Sequence, residues 1–250
     1  MSTDTPRQRL DQALVSQGLA PTRARARDLV LRGEVLVGGQ PASKPAMMVA
    51  GTAALALVSG PADYVSRGAL KLRAALRHFG FEADGRVGID VGASTGGFTE
   101  VLLAAGARRV HAVENGRGQL HARLAADPRV VSMEAFDARR IDAVAVPDAV
   151  GAIVADVSFL SATAVLPAAL DRAERGCWLV VLVKPQFEAP AGTVPRDGIV
   201  KDDHVRQAAV ARIESWIASR PGWRLVGTIP SPIHGGDGNV EFLTGAVFDG

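Results

Sequence analysis

Cysteine is almost absent from this chain, since Cys177 is the single one among 250 residues. One cysteine excludes an internal disulfide bond and a zinc site with several cysteine ligands, and it is typical of proteins in the reducing cytosol. No apolar stretch approaches the ~18 residues that span a bilayer, and the first residues lack the basic start and apolar middle of a signal peptide. We therefore expect a cytoplasmic protein with no membrane partner and no metal.

The charge of the chain is small but unevenly distributed. Hydrophobic residues make up 48% and charged residues 22% of the chain, which indicates an ordinary folded protein. Residues 1–60 carry a net charge of +3 and the remaining 190 residues carry −1. A basic small module beside a larger neutral one is typical of an RNA-binding appendage on an enzyme, or simply of a solvated basic face. We expect two domains, residues 1–60 and 61–250, joined by a linker at 59–63.

The first 60 residues alternate between helical and strand-like patterns. Leu10, Ala13 and Leu14 predict a helix over residues 9–17, and a second helix is expected over residues 22–32. Two short strands follow, one before the Gly38-Gly39 turn and one near residues 47–49.

This segment resembles the small RNA-binding fold that is named after a ribosomal small-subunit protein. The resemblance is carried by Arg9-Leu10-Asp11, Leu14-Val15, Gly18-Leu19-Ala20, Thr22-Arg23, Ala26, Leu29-Val30, Gly33, Val35, Val37, Gly39 and Lys44-Pro45. It departs at Gly38, where that fold usually has asparagine. An RNA-binding role is implied, and the candidate RNA contacts are the basic residues Arg9, Arg23, Arg25, Arg32 and Lys44, with Arg67 after the linker.

The larger segment alternates strand-like and helical patterns, which predicts an α/β fold. Strands are expected near residues 87–91, 109–114, 129–133, 150–156, 177–184, 223–229 and 240–247. Helices are expected near residues 67–79, 97–105, 117–126, 161–174 and 202–219. The pattern predicts a Rossmann-like, mostly parallel sheet with helices on both faces and an antiparallel hairpin formed by the last two strands.

A glycine-rich turn follows the first strand of this sheet and predicts a nucleotide site. It runs Asp90-Val91-Gly92-Ala93-Ser94-Thr95-Gly96-Gly97-Phe98. Ser94 stands where a dinucleotide fingerprint has its second glycine, which favours a ligand without phosphates. Glu114 and Asp137 end or follow the next two strands, where carboxylates can contact a ribose and an adenine edge. This acidic ring suits S-adenosylmethionine, whose methionine portion is cationic, although Glu114 alone is equally compatible with a solvated strand end.

Four ionisable residues are predicted at element ends or in the lead-in helix, on one side of the sheet. They are Lys71, Asp156, Lys184 and Glu241. Lys184 ends a very apolar strand, where an unpaired ammonium is costly to bury, and such a lysine can orient or deprotonate a hydroxyl.

Together these motifs resemble the TlyA family, which are S-adenosylmethionine-dependent rRNA 2'-O-methyltransferases with an FtsJ-like catalytic domain, historically called hemolysins. The resemblance is carried by Arg67-Gly68, Leu70-Lys71-Leu72, the turn from Asp90 to Phe98, Gly118-Gln119-Leu120, Asp127-Pro128-Arg129-Val130, Asp156-Val157-Ser158-Phe159, Lys184-Pro185-Gln186-Phe187-Glu188, Gly238-Asn239 and Glu241-Phe242-Leu243. It implies that Lys71, Asp156, Lys184 and Glu241 form the catalytic tetrad and that the methyl group goes to a cytidine of ribosomal RNA.

The resemblance also implies roles and shows departures. Lys184 would activate the ribose hydroxyl, Lys71 and Glu241 would position it, and Asp156 would hold Lys184. Family members usually have aspartate in place of Glu114 and asparagine in place of Asp137. Two alternatives remain: a non-catalytic RNA-binding or ribosome-assembly factor, and, less favoured because no spanning segment is predicted, a membrane-active hemolysin.

Overall fold

We describe the chain from a computed structural model. It describes residues 7–20, 22–31, 35–42, 44–57, 64–190, 192–195 and 197–250, with the backbone alone at residues 24, 25, 28 and 31. The predicted linker at 59–63 and Arg32 lie outside the described residues, as does the side chain of Arg25. The chain divides into two compact units, Met1–Asp63 and Tyr64–Gly250.

The first unit packs two helices against short strands. Strand β1 (Arg7–Arg9) leads directly into helix α1 (Leu10–Ser16), and helix α2 (Arg23–Leu31) follows. Strands β2 (Val35–Val37), β3 (Gln40–Pro41), β4 (Met48–Ala50) and β5 (Leu55–Leu57) complete the unit. β1 pairs with β4, and β2 lies between β3 and β5. The apolar spacing predicted α1, and start and stop signals predicted α2, whereas β1, β3 and β5 are too short to show a period of their own.

The second unit is built on a sheet of seven strands. Its strands are β6 (Val87–Val91), β7 (Arg109–Val113), β8 (Val130–Met133), β9 (Val150–Ala155), β10 (Ala173–Val183), β11 (Trp223–Pro230) and β12 (Phe242–Phe248). Their order is β11-β12-β10-β9-β6-β7-β8. β12 runs antiparallel to both of its neighbours, and the other pairs are parallel. β6 and β9 are buried along their whole length, as expected for strands covered on both faces, and they are apolar except for Asp90 in β6.

Helices cover both faces of this sheet. They are α3 (Gly68–Phe79), α4 (Gly97–Ala104), α5 (Ala122–Ala125), α6 (Ala162–Val165), α7 (Pro167–Leu170), α8 (Pro185–Glu188) and α9 (Asp203–Ala218). One buried cluster joins α6, α7 and α9 to the sheet, and a second joins α3 and α4 to it. No helix among the described residues is long and apolar enough to cross a membrane.

Two predicted helices are wrong in extent. The helix expected over residues 117–126 is reduced to α5, because the backbone N–H groups of residues 118–120 bind a side chain instead of continuing a helix. The helix expected over residues 161–174 is broken into α6 and α7 at Pro167, since proline cannot donate the helical hydrogen bond. Strand β10 begins at Ala173, earlier than the apolar run that predicted it, and Glu241 precedes β12 instead of starting it.

Candidate active site

A polar cavity opens at the carboxyl ends of β6, β9 and β10. It is an open cleft with a volume of about 180 Å³, which is smaller than the ~300–1,000 Å³ that is usual for small-molecule sites. Most of the predicted cofactor residues contribute to its wall, together with Lys184. The lining residues are Ser66, Gly68, Asp90, Gly92, Ala93, Ser94, Thr95, Gly97, Phe98, Asp156, Ser158 and Lys184.

The glycine-rich turn needs its glycines for two separate reasons. Gly92 has a φ of +82°, and a Cβ there would lie 2.7 Å from the carbonyl oxygen of Asp156. Gly96 has a φ of +97°, and a Cβ there would overlap Leu120 and Leu124. The first glycine therefore lets the end of β6 approach the end of β9, and the second lets the turn pack against the segment before α5.

Asp90 is a fully buried carboxyl group at the cavity wall. Its Oδ2 accepts hydrogen bonds from the backbone N–H of Thr99 at 2.8 Å and from its hydroxyl at 2.7 Å. Its Oδ1 is buried and, among the described residues, has no hydrogen-bond partner. Burial, against the opposing effect of the Thr99 bonds, raises the pKa of Asp90 to about 7. A donor or a cation in the cavity would satisfy Oδ1 and favour the ionised form.

We expect the stability of the ligand-free protein to fall as Asp90 ionises. The pKa of about 7 in the folded protein lies above the ordinary 3.8, so the folded state binds this proton more tightly than the unfolded chain. The stabilisation is therefore complete below pH ~4 and lost as the pH rises through ~7, and it amounts to about 4 kcal/mol. Asp90→Asn cannot titrate, so its unfolding free energy should lose less over that range. Urea unfolding of both proteins across the pH range measures this, and parallel pH profiles would contradict it.

Glu114 lies directly after β7 and turns back onto the glycine-rich turn. Its Oε2 accepts from the backbone N–H of Ser94 at 3.0 Å, and its Oε1 accepts from that of Gly116 at 2.6 Å. Ser94 has a φ of +47°, a conformation that a residue with a side chain adopts when its surroundings enforce it. Glu114 thus braces the turn, and its Oε2 keeps a lone pair for a further donor, while Oε1 has Gln119 Nε2 at 3.5 Å as a second neighbour.

Asp137 lies farther along, at the start of a 3₁₀ turn over Ala138–Arg140. Its carboxylate accepts from the backbone N–H of Arg139 at 3.0 Å and pairs with that guanidinium at 2.6 Å. Arg139 lowers the pKa of Asp137 to about 2. Asp137 does not line the cavity, and its contact with an adenine stays a prediction.

Lys184 and Asp156 form an ion pair in the cavity wall. Lys184 Nζ lies 2.6 Å from Asp156 Oδ1 and donates to Ser158 Oγ at 2.7 Å. The Lys184 side chain is 12% exposed and that of Asp156 is 24% exposed, so both can be reached from the cavity. An ammonium has three N–H donors, and one of them is directed at Ser158. The contact with Asp156 is an ion pair without hydrogen-bond geometry, so Asp156 Oδ1 has no hydrogen-bond partner among the described residues. Ser158 was not predicted as a site residue, although it lies in a motif that the sequence singled out.

Lys71 and Glu241 form a second, more deeply buried ion pair. Lys71 Nζ lies 2.6 Å from Glu241 Oε2, and the two side chains are 8% and 3% exposed. Val183 and Phe242 are paired where β10 and β12 meet. Lys184 directly follows Val183 and Glu241 directly precedes Phe242, so these two residues lie next to the same strand pair. The four ionisable residues predicted from the sequence therefore form two ion pairs near the carboxyl ends of β9 and β10. The pair that lines the cavity is Lys184 with Asp156.

A buried carboxyl group anchors the segment that carries Ser158. Glu188 accepts from the Ser161 hydroxyl at 2.5 Å and from the backbone N–H of Ala162 at 2.7 Å. Burial raises the pKa of Glu188 above its ordinary value, against these two hydrogen bonds. The segment also presents Phe159, which is 87% exposed with a φ of +69°. The sequence placed Glu188 in a motif with Lys184 but showed no sign of this anchoring contact.

Comparison with known proteins identifies the family to which this chain belongs. The FtsJ-like methyltransferase model matches residues 64–248, and the S4 domain model matches residues 8–53. The chain is 45% identical to the 16S/23S rRNA (cytidine-2'-O)-methyltransferase TlyA of Mycobacterium tuberculosis, over 95% of this chain and 88% of that protein. The chain belongs to the TlyA family of FtsJ-like methyltransferases.

Other members of the TlyA family match along most of their length. Hemolysin A of Brachyspira hyodysenteriae is 38% identical over 94% of this chain and 98% of that protein. A solved structure from Streptococcus thermophilus, provisionally described as a hemolysin, has a TM-score of 0.73 at 36% identity and covers 98% of this chain and 89% of its own. The predicted family, the Rossmann-like sheet with its C-terminal hairpin and the small RNA-binding fold are confirmed.

The predicted RNA contacts of this TlyA-family chain are placed unevenly. Arg9 and Arg23 both pair with the buried carboxylate of Asp11, at 3.0 Å and 3.2 Å, and these partners lower the pKa of Asp11. Their guanidinium groups stay 41% and 57% exposed. Lys44 is exposed, and Arg67 immediately precedes α3 in the second unit. Among the described residues, no cluster of histidine, cysteine and carboxylates could hold a metal ion.

Proposed function

We propose that this chain transfers a methyl group from S-adenosylmethionine to the 2'-oxygen of a ribose in ribosomal RNA, with a cytidine as the target. The observation that carries the proposal is the Lys184–Asp156 ion pair at 2.6 Å in the wall of the cavity formed by the glycine-rich turn. The family relationship supports it, because the TlyA relative of Mycobacterium tuberculosis is a cytidine-2'-O-methyltransferase of 16S and 23S rRNA. Such a substrate implies work in the cytoplasm, where ribosomes are.

The cavity suits S-adenosylmethionine by the charge of its wall. Asp90 has a buried oxygen in need of a donor or cation, and Asp156 adds a second carboxylate. Glu114 holds two oxygens beside Ser94, where a ribose diol could donate to them. Among the residues that line the cavity, Lys184 is the one cation, so the turn supplies no cluster of cations for a phosphate. When bound, this cofactor supplies an electrophilic methyl group on a sulfonium centre.

The residues of the chain can activate the ribose hydroxyl. Lys184 in its neutral form would accept the proton of the 2'-hydroxyl as that oxygen takes the methyl group, whose carbon–sulfur bond breaks to leave a neutral thioether, and the proton would stay on Nζ. Asp156, 2.6 Å from Nζ, and Ser158, 2.7 Å from it, stabilise the ammonium that results. Lys71 and Glu241 carry no net charge as a pair. They support the end of β10, from which Lys184 projects. We propose that they position Lys184 and the hydroxyl.

An exposed aromatic side chain beside the cavity supports a nucleotide substrate. Phe159 follows Ser158, and its ring lies 5.5 Å from that of Phe187 at an angle of 50°. A phenylalanine left exposed in a left-handed conformation is costly unless it serves a contact. An aromatic face of this kind stacks on an unpaired base, as in many proteins that recognise single-stranded RNA. We propose that Phe159 holds the base of the target nucleotide.

Mapping of 2'-O-methyl groups in ribosomal RNA tests the function. Cells that carry this gene should show at least one modified cytidine that is absent from cells without it, and Phe159→Ala in the same cells should lower the modified fraction at that site. Val144, an apolar side chain that is 89% exposed, offers the control, and Val144→Ala should leave the site modified. Identical maps with and without the gene would instead support the non-catalytic RNA-binding alternative.

A further inference from the structure

A short segment between β7 and α5 is fixed by a single carboxylate. The backbone N–H groups of Gly118, Gln119 and Leu120 donate to Glu134, which follows β8, at 2.8, 2.7 and 3.0 Å. These three bonds lower the pKa of Glu134. A carboxylate that accepts three consecutive N–H groups fixes the backbone of the segment, which explains why residues 118–120 do not continue the helix that the sequence predicts.

The segment held by Glu134 contacts the glycine-rich turn at three points. Ser94 Oγ donates to Gln119 Oε1 at 3.0 Å, and the backbone N–H of His121 donates to the carbonyl oxygen of Thr95 at 3.2 Å. Leu120 fills the space beside Gly96, because a Cβ on that glycine would lie 2.8 Å from Leu120 Cδ1. The segment therefore supports the glycine-rich turn from behind. This contact explains why the sequence has Gly118-Gln119-Leu120 at this place.

Gln119 connects two groups that the proposed cofactor site uses. Its carboxamide oxygen accepts from Ser94, and its Nε2 lies 3.5 Å from Glu114 Oε1. This orientation of the amide gives the carboxylate a donor and the hydroxyl an acceptor, which the flipped amide would not. Glu114 also accepts from the N–H groups of Ser94 and Gly116, so its two oxygens are held in one direction before any ligand binds.

We propose that Gln119, held in place by Glu134, is a positioning residue that aligns Glu114 and Ser94 for the 2',3'-diol of the cofactor's ribose. The inference rests on the proposed function, because it assigns a role within that cofactor site. A diol has two O–H donors, and a carboxylate with a fixed direction can accept both without first losing side-chain freedom. A nucleoside without one of these hydroxyls keeps a single O–H donor and gains less from that alignment.

Calorimetric titration with S-adenosylhomocysteine and with its 2'-deoxyribose analogue tests the inference. Gln119→Ala should weaken S-adenosylhomocysteine binding about tenfold and weaken binding of the deoxy analogue by clearly less, so the preference for the diol shrinks. Gln119→Glu should lose more, since it sets a second carboxylate against Glu114. Gln207→Ala, at an exposed position on α9, is the matched control and should bind both ligands like the wild type.

Glu134→Gln distinguishes a local loosening of residues 118–120 from unfolding of the whole protein. It should expose the amides of residues 118–120 to faster hydrogen exchange in the ligand-free protein and weaken S-adenosylhomocysteine binding no further than Gln119→Ala does. The double variant should bind no worse than the weaker single variant, because Glu134 acts through Gln119. Equal losses for both ligands in Gln119→Ala, or binding within twofold of the wild type, would overturn the inference. Failure of the wild type itself to bind S-adenosylhomocysteine would overturn the proposed function.

Discussion

Lys184→Ala should reduce methyl transfer to ribosomal subunits by about 10³-fold or more while leaving S-adenosylhomocysteine binding within a few-fold of the wild type. A positioned general base contributes roughly 10²–10⁴-fold to a rate, and Lys184 is the one lysine in the wall of the described cavity. Its contacts are to Asp156 and Ser158, so its removal deletes the proton acceptor without disturbing the glycine-rich turn. Single-turnover transfer of a radiolabelled methyl group, with calorimetry in parallel, measures both quantities.

Two further variants make this result specific. Arginine keeps the positive charge but cannot release its proton at neutral pH, so Lys184→Arg should be nearly as inactive as Lys184→Ala if Lys184 accepts the proton. Lys201→Ala is the matched control, since Lys201 is 73% exposed and pairs only with the exposed Asp197 among the described residues. Full activity in Lys184→Ala would remove the lysine from the mechanism, and substantial activity in Lys184→Arg would reduce its role to electrostatics.

Lys71→Met should destabilise the protein by about 3–5 kcal/mol, the usual cost of leaving one member of a buried ion pair without its partner. Glu241 would then hold an uncompensated carboxylate at 3% exposure, immediately before β12, the strand that lies between β10 and β11. Urea unfolding monitored by circular dichroism measures the loss. A loss below about 1 kcal/mol would contradict the assignment of a buried, charged pair.

The double variant Lys71→Met/Glu241→Leu separates stability from activity. Replacing both members of a buried pair by apolar side chains is often neutral or stabilising, so most of the lost stability should return. Methyl transfer should not return, because we propose that the pair positions Lys184 and the ribose hydroxyl. A double variant that regains both stability and activity would show that the pair serves the fold alone.

The sequence predicted the parts of the molecule whose signal is local. The run from Val87 to Val91 and the glycines after it predicted the strand, turn and helix that form the cavity, because each element shows its own periodicity and stop signals. The apolar strand that ends at Lys184 was predicted for the same reason, and Pro185 marked its end. These elements bring nine predicted site residues into one cavity wall.

Contacts over long sequence distances could not be predicted in this way. Lys71 and Glu241 are 170 residues apart, and only the resemblance to a family suggested that they meet. The sequence around residues 118–120 has a helical pattern, but the hydrogen bonds of these residues to Glu134 prevent the helix. Here a tertiary contact determines the local structure against the helix propensity. The break at Pro167 shows the opposite error, since the proline was visible and its effect on the predicted helix was underestimated.

The position of the transferred methyl group tests the central claim most directly. Purified protein, radiolabelled S-adenosylmethionine and ribosomal subunits are incubated together, and the extracted RNA is hydrolysed with alkali. Alkaline cleavage needs a free 2'-hydroxyl, so a ribose methylated on its 2'-oxygen survives within an uncut dinucleotide. We predict that the label appears in such a dinucleotide with the wild type and is absent with Lys184→Ala. Label in mononucleotides would place the methyl group on a base, and that result would contradict the account.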